Sequence, residues 1–306
     1  MKPLLTGRVH PSTSTSRALI DLTGSTDGYL LMTGNLSTDE TFLLSKYYLQ
    51  VLAGVNNDEL VLDPEGYIQR DQTMRIPFYV TESDVEIAGI VLARPAHALE
   101  IALETPNGNV VTDANPSVQT RASSRTIYIR AGLPLLADGR PAHGGRWHLL
   151  LALAGRQSYT HFRASTQGKG LRYSASVTAY SNLRMAARVD QDSLEPGATL
   201  TVRAVLTEYG APFLGKARVQ AELIRPNGFE SSIELAAVPG ETGAFAAAVA
   251  ATMSGIYRFR IVASGRTVHD MPFTREQLRT AAVWHGGGRP EPGGGSGGGQ
   301  TDWCNA

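Results

Sequence analysis

Short apolar runs with alternating spacing, separated by turn residues, occupy most of the chain from Leu60 to Ser264. A period of two places successive side chains on opposite faces of a strand, so each run predicts a half-buried β-strand. A mainly β fold follows from the number of these runs. The runs predicted as strands are Met74–Thr81, Val85–Ala93, Ala98–Glu104, Arg125–Ala131, Arg146–Leu153, Ser158–Ala164, Leu171–Tyr180, Asn182–Asp190, Thr199–Glu208, Arg218–Arg225, Ser231–Val238, Gly243–Ala250 and Gly255–Ser264.

The predicted strands form two sets with the same turn signals at corresponding places. A Pro-Asn-Gly turn follows a strand at Pro106–Gly108 and again at Pro226–Gly228, and an aromatic-bearing strand later begins at Gly145 and at Gly255. Proline fixes φ and Asn-Gly accepts the left-handed region, so both triplets predict tight turns. We therefore expect two tandem antiparallel β-sandwiches of related, immunoglobulin- or fibronectin-III-like design, the first over residues 58–180 and the second over residues 181–275.

Two strands refine this prediction. Pro77 lies inside a predicted strand, and proline cannot donate to a ladder, so that strand should be an edge or carry a bulge. In the run Gly255–Ser264, Tyr257, Phe259 and Ile261 alternate, so we expect their face to point into the core of the second sandwich.

The segments on either side of the strands differ from them. Ser37 and Glu40 have the spacing of a capping box, and apolar residues then recur at helical intervals, so a helix is predicted from Ser37 to Ala53 with its left-handed stop at Gly54. Residues 1–57 are accordingly expected to contain one amphipathic helix. At the other end, nine of the fourteen residues 286–299 are glycine, and residues 276–306 are predicted to be a disordered, flexible tail.

Bulk composition limits the partners and the chemistry. Lysine plus arginine equals aspartate plus glutamate at 28 each, so no net charge attracts nucleic acid or an anionic membrane. The single cysteine, Cys304, excludes an intramolecular disulfide. We expect no membrane span, since no apolar run of about eighteen residues occurs. The first residues, MKPLLTGRVH, lack the apolar core of a signal peptide, which leaves a cytoplasmic location or an export signal on another segment.

No catalytic motif stands out, so we predict no catalytic, cofactor-binding or metal-ligating residues, no cofactor and no enzyme activity. The chain lacks G-x-S-x-G, H-E-x-x-H and a Walker loop. Weaker candidates remain open beside ordinary structural roles. Two of them concern metals: a pair of facing histidines (His148, His161), and oxygen-rich loops that are either turns or weak calcium ligands (Asn56–Glu59, Asp63–Gly66). Two concern aromatic residues: a row that could bind carbohydrate (Trp147, Tyr159), and a junction between helix and sandwich (Tyr47, Tyr48, Phe78, Tyr79).

Three stretches carry a family resemblance: Leu19–Gly54, the V-x-D-P-x-G run Val61–Gly66, and the R-I-P-F-x-V-T-E-x-D run Arg75–Asp84. Together they resemble the closing segment of von Willebrand factor A (VWA) domains in bacterial multidomain proteins. The resemblance implies that residues 1–57 are a short α/β remnant, the C-terminal end of such a domain. The layout is similar to CLCA-type proteins, in which a VWA domain precedes β-rich and fibronectin-III-like domains. The resemblance implies an extracellular or cell-surface location. The D-x-S-x-S motif of the family's magnesium site is not in this sequence, and Asp71 and Asp84 do not stand in its context, so no ligand is transferred.

These observations favour a non-enzymatic interaction or spacer module of a VWA-type multidomain protein. Its partner would be another protein, through binding or adhesion, or a missing upstream domain. Two alternatives stay open: the non-catalytic C-terminal region of a secreted or surface hydrolase such as a metalloprotease, and carbohydrate binding by one sandwich. The sequence leaves the oligomeric state undetermined.

Overall fold

The chain is mainly β and forms two antiparallel β-sandwiches. The computed structural model describes residues 4–5, 18–20, 22–23, 29–34, 36, 40, 42–69, 71–154 and 170–286. The first hydrophobic core is built from residues between Val61 and Ala179, and the second from residues between Leu183 and Val283.

The first sandwich has a five-strand row β3-β14-β6-β10-β9, in which β4 also pairs with β14, facing the sheet β5-β13-β7-β8. Alternate residues of β13, namely Trp147, Leu149 and Leu151, are fully buried between the two layers. A small hairpin, β11-β12, and a 3-10 turn at Ala96–Ala98 complete the unit. The strands are β3 Asp58–Leu62, β4 Glu65–Ile68, β5 Thr73–Val80, β6 Asp84–Ala93, β7 Leu99–Glu104, β8 Val110–Val111, β9 Val118–Ala122, β10 Thr126–Gly132, β11 Leu135–Ala137, β12 Arg140–Ala142, β13 Gly145–Leu153 and β14 Leu171–Ser181.

The second sandwich follows one path, β15-β16-β20-β19-β18-β21-β22, with β17 paired to β16. Strand β19 pairs with β18 along most of its length and with β20 only at Ala236–Ala237, so it links the two layers. Tyr257, Phe259 and Ile261 are buried in the core, which confirms the face predicted for them. The strands are β15 Leu183–Gln191, β16 Ala198–Glu208, β17 Ala211–Pro212, β18 Lys216–Ile224, β19 Glu230–Ala237, β20 Ala244–Ala251, β21 Gly255–Arg266 and β22 Pro272–Val283.

The two sandwiches share one local design. A Cβ on Gly145 would lie 3.0 Å from Pro106, and one on Gly255 would lie 2.6 Å from Pro226, so in both copies the glycine packs on the proline of the Pro-Asn-Gly turn.

The aromatic residue two positions after each of these glycines repeats the design. The Trp147 indole N–H donates to the carbonyl four residues earlier at 2.7 Å, and the Tyr257 hydroxyl does the same at 3.0 Å. Related turns and anchored aromatics therefore organise both cores.

The structure tests several of the strands and boundaries predicted from the sequence. Strand β5, which contains Pro77, is an edge strand, as expected. The predicted strand Ser158–Ala164 lies outside the described residues. The disorder predicted from residue 276 is wrong for residues 276–283, because they belong to strand β22, Pro272–Val283. Its charged residues resemble a solvated segment in sequence, but Arg275, Glu276 and Arg279 are all buried. The second sandwich therefore extends beyond residue 275.

The N-terminal part contains a parallel pair of short strands, β1 (Leu4–Leu5) and β2 (Leu31–Met32), with helical residues at 18–20 and 22–23 between them. The predicted helix is present as α1, Leu43–Asn56. Ser37 lies outside the described residues, and the N-cap is Phe42 without a side-chain cap. Asn57, at φ 66°, supplies the left-handed stop instead of Gly54, because asparagine also tolerates that conformation.

Candidate interaction site

Helix α1 lies where both sandwiches meet and contacts each of them. The Gln50 side chain donates to the Leu278 carbonyl of β22 at 3.0 Å and accepts the Leu278 N–H. Lys46 forms ion pairs with Asp63 and Glu65 of the first sandwich at 3.2 and 3.1 Å. These polar contacts hold the helix to both units. Breaking them would leave the buried Gln50 amide unpaired, which costs free energy.

The opposite face of α1 is an exposed apolar stripe. Leu44, Tyr48, Leu52 and Val55 are exposed by 37%, 57%, 40% and 72%. Spacings of three and four residues place them on one side of a helix. We call these four residues the α1 stripe. Tyr47 is buried and Tyr48 is not, and Phe78 belongs to the core of the first sandwich, so the aromatic junction predicted from Tyr47, Tyr48, Phe78 and Tyr79 does not form as one cluster.

The parallel β1–β2 pair is held onto strand β22. The Thr280 hydroxyl donates to the Leu30 carbonyl and accepts from the Met32 N–H, both at 2.9 Å. Within the described part of the chain, neither strand of the pair forms a backbone ladder with a third strand.

A buried charged seam joins the two sandwiches. The Arg275 guanidinium of β22 lies 2.7 Å from the Asp84 carboxylate of β6, and both side chains are completely inaccessible. The Glu59 carboxylate accepts from Arg184 and from the Met185 N–H, each at 3.1 Å. Charges taken out of water must be paired closely, so these contacts set the relative position of the two units.

Strand β22 also closes the second sandwich through its side chains. Arg275 donates to the Leu183 carbonyl at 3.0 Å and Arg279 to the Ala187 carbonyl at 2.6 Å. Between them, Gln277 accepts the Ala187 N–H at 3.0 Å and donates to the Met185 carbonyl. Every second residue from Arg275 to Arg279 thus reaches the backbone of β15, which covers edges that would otherwise be open.

Burial perturbs the carboxylates of this region. It raises the pKa of Glu276 to about 7, although Arg260 lowers it. Burial also raises the pKa of Glu59 and of Asp63, against the opposing hydrogen bond of Met185 and charge of Lys46 respectively.

Each of these carboxylates contacts a cationic group, since Glu276 accepts from Arg260 at 3.1 Å and Asp63 pairs with Lys46. An arrangement of this kind suits a locked junction better than proton transfer to a bound substrate.

The structure locates the weaker candidates for carbohydrate and metal binding. Trp147 is fully buried, so it is no stacking platform for carbohydrate, and its proposed companion Tyr159 lies outside the described residues, as does His161. His148 lies 3.6 Å from Glu104, and burial lowers its pKa. In the loop Asp63–Gly66, the Asp63 carboxylate forms an ion pair with Lys46 and accepts a hydrogen bond from the Ser176 hydroxyl at 2.7 Å.

Sequence reasoning missed Gln50, Arg275, Gln277 and Arg279. The available signal was the long polar side chain at every second position of an otherwise strand-like run, 275–279.

In the described residues, no group of three or more His, Cys, Asp or Glu side chains is arranged to hold a metal ion. Helices in the same residues are too short or too polar to cross a membrane.

Comparisons with known proteins find distant structural similarity. No protein-family model and no curated protein matches the chain. Bacillus licheniformis lipase BlEst2 in propeptide form is similar at 13% identity and TM-score 0.40, over 75% of this chain and 42% of that one. A DUF4785 family protein from Legionella pneumophila gives 12% identity and TM-score 0.40, over 74% of this chain and 65% of that one. The adhesin domain of Epf from Streptococcus pyogenes gives 8% and TM-score 0.22, over 72% and 77%.

This chain thus spans less than two thirds of the length of the lipase and of the Legionella protein. Similarities of this size support no inference about function.

Proposed function

We propose that this chain is a non-enzymatic interaction and spacer module of a VWA-type multidomain protein, and that the α1 stripe binds an α/β domain of that type. The observation that carries the proposal is the stripe itself, a continuous apolar face on a helix whose other face is fixed to both sandwiches. A helix with apolar residues on two faces is expected to be covered on both.

The neighbouring parallel pair supports an α/β partner in particular. Strands β1 and β2 are connected through helical residues, as in a β-α-β unit, and hydrogen bonds at β2, from Leu30 and Met32, join the pair to Thr280 of β22. A two-stranded parallel sheet is too small to be stable alone, and an α/β domain has strands and helices of the kind that would extend it. The resemblance of Leu19–Gly54 to the end of a VWA domain supports the same partner.

The spacer role is supported by the seam between the sandwiches. Domains joined only by a linker move relative to one another, whereas buried ion pairs such as Arg275–Asp84 hold these two in one arrangement. The strand order β15-β16-β20 against β19-β18-β21-β22 supports a fibronectin-III-like assignment for the second unit. A rigid pair of sandwiches would hold the bound domain at a fixed distance and angle.

The test is a binding titration with a VWA-type domain. The probe is a separately produced VWA-type α/β domain from the same genome that carries D-x-S-x-S, titrated into the full chain by calorimetry. We expect Tyr48→Lys and Val55→Asp each to weaken binding at least tenfold, since both place a charge in an apolar contact. Hydrogen exchange of residues 43–56 should slow in the complex.

Matched controls are Val110→Asp and Leu214→Asp, which alter apolar side chains exposed by 59% and 77% on strand β8 and between β17 and β18. Both should bind the probe like the unaltered chain. Equal loss of binding in the stripe and control variants would contradict the assignment of the surface. A probe that does not bind the unaltered chain would contradict the assignment of the partner.

A further inference from the structure

A lysine and an aspartate face each other in the contact between helix α1 and the first sandwich. The Lys46 Nζ lies 3.2 Å from Oδ2 of Asp63 and donates to the Asp63 main-chain carbonyl at 2.9 Å. The two side chains are exposed by only 12% and 4%. Lys46 is not part of the α1 stripe, so this contact is separate from the surface proposed to bind a partner.

Lysine is an uncommon choice for an ion pair in this chain. The sequence contains 24 arginines and four lysines, and the other ion pairs between described residues use arginine, or histidine at His148. A guanidinium keeps its charge, whereas an ε-amine can lose its proton and act as a nucleophile. The Asp63 carboxylate is therefore paired with a cation that is able to react with it.

Neighbouring groups hold the two side chains in place. The Ser176 hydroxyl donates to Oδ1 of Asp63 at 2.7 Å, and Oδ2 is the oxygen that contacts the lysine. The Glu65 carboxylate lies 3.1 Å from the Lys46 Nζ. Groups fixed at about 3–3.5 Å are in position to react, and such an arrangement corresponds to effective concentrations of up to about 10⁵–10⁸ M.

Burial favours the uncharged forms that condensation requires. It raises the pKa of Asp63, against the opposing charge of Lys46. Transfer of one proton from the ammonium to the carboxylate gives an amine and an acid, which lose less hydration on burial than the ion pair does. A site that contains little water also opposes hydrolysis of the product.

We propose that Lys46 and Asp63 condense into an isopeptide bond that ties α1 to the first sandwich. The lone pair of the neutral Nζ attacks Cγ of the protonated Asp63, and Glu65 accepts a proton from the nitrogen as the C–N bond forms. Negative charge develops on Oδ1, to which Ser176 donates. The Cγ–Oδ2 bond then breaks, and the hydroxyl takes the proton from Glu65 and leaves as water.

The balance is one ammonium and one carboxylate giving one amide and one water, with no oxidant, reductant or further reactant. The amide holds the helix to the sandwich covalently, where the ion pair alone would separate under load. This proposal does not depend on which partner binds the α1 stripe.

Peptide mapping of the full chain tests the proposal, because trypsin cleaves after a lysine only where its amine is free. No arginine lies between Arg17 and Arg70, so Lys46 is the one internal cleavage site of that stretch. The isopeptide bond should block this site and yield residues 18–70 as a single peptide, lighter than its sequence mass by one water. Fragmentation should place the link between positions 46 and 63. Cleavage after Lys216 establishes that the digestion is complete.

Two variants are the controls. Lys46→Arg keeps a positive charge beside Asp63 but forms no amide, so it should yield peptides 18–46 and 47–70 at their full masses. Circular dichroism establishes that this variant is folded. Asp63→Ala leaves the Lys46 amine without a carboxyl to react with, so cleavage after Lys46 should return.

The proposal fails if the unaltered chain yields peptides 18–46 and 47–70 at their sequence masses. It fails equally if cleavage after Lys46 stays blocked in Asp63→Ala, since the amine would then carry a different modification.

Discussion

Replacing Arg275 by methionine removes one partner of the fully buried ion pair with Asp84. The Asp84 carboxylate keeps its bond from the Thr81 N–H at 2.6 Å but loses its counter-charge, and the bonds from Arg275 to Leu183 and Ser181 are lost as well. Breaking a buried pair at one side costs about 3–5 kcal/mol, and whole domains are stable by only about 5–15 kcal/mol. We therefore expect Arg275→Met to lower the free energy of unfolding by about 3–5 kcal/mol.

Urea unfolding, followed by tryptophan fluorescence and far-ultraviolet circular dichroism, measures this loss. The double variant Arg275→Met with Asp84→Leu leaves no unpaired charge, so it should be much more stable than the sum of the single losses implies. Arg218→Met is the control, because the Arg218–Glu234 pair is 60% exposed on both sides and exposed pairs contribute less than about 1 kcal/mol. An Arg275→Met loss as small as the control's, or additive losses in the double variant, would refute the seam as a buried electrostatic lock.

Three further perturbations test other parts of the fold. The folded state retains the Glu276 proton up to a pKa of about 7, against 4.5 ordinarily, so stability should fall as pH rises between these values. In Glu276→Gln, the free energy of unfolding, measured by urea titration at a series of pH values, should depend much less on pH in this range. An unchanged pH dependence would contradict the raised pKa of Glu276. A Cβ on Gly265 would lie 1.9 Å from a backbone oxygen, so Gly265→Ala should cost roughly 3 kcal/mol, whereas Gly132→Ala, with open space, should cost little. Leu149→Ala should cost about 2–5 kcal/mol by calorimetry, and Leu150→Ala, on the opposite face of β13, much less.

The two-sandwich architecture was predictable because its signals are local. Alternation, the Pro-Asn-Gly turns and the edge position of Pro77 each depend on a few neighbouring residues. The repeat was predictable for the same reason, since Gly145 and Gly255 each precede an aromatic strand. What those patterns did not contain was the contact of each glycine with a distant proline, which required the folded chain.

The seam was not predictable because its partners are far apart in sequence. Arg275 and Asp84 are separated by 191 positions. A charged residue in a single sequence is expected at the surface, and only its partner justifies burying it. The glycine-rich run 286–299 led to a tail predicted from residue 276, and the buried charges of β22 gave no sign in the sequence that a strand lies there.

The helix gives the opposite lesson about apolar residues. Its sequence is apolar on more than one side, so periodicity predicts a helix without indicating which face is covered. The structure covers Tyr47, Gln50 and Ala53 and leaves Leu44, Tyr48, Leu52 and Val55 exposed. Core packing in this chain therefore accounts for one face of α1 only. The exposed apolar residues on the other face are the ones that the proposed partner domain would cover.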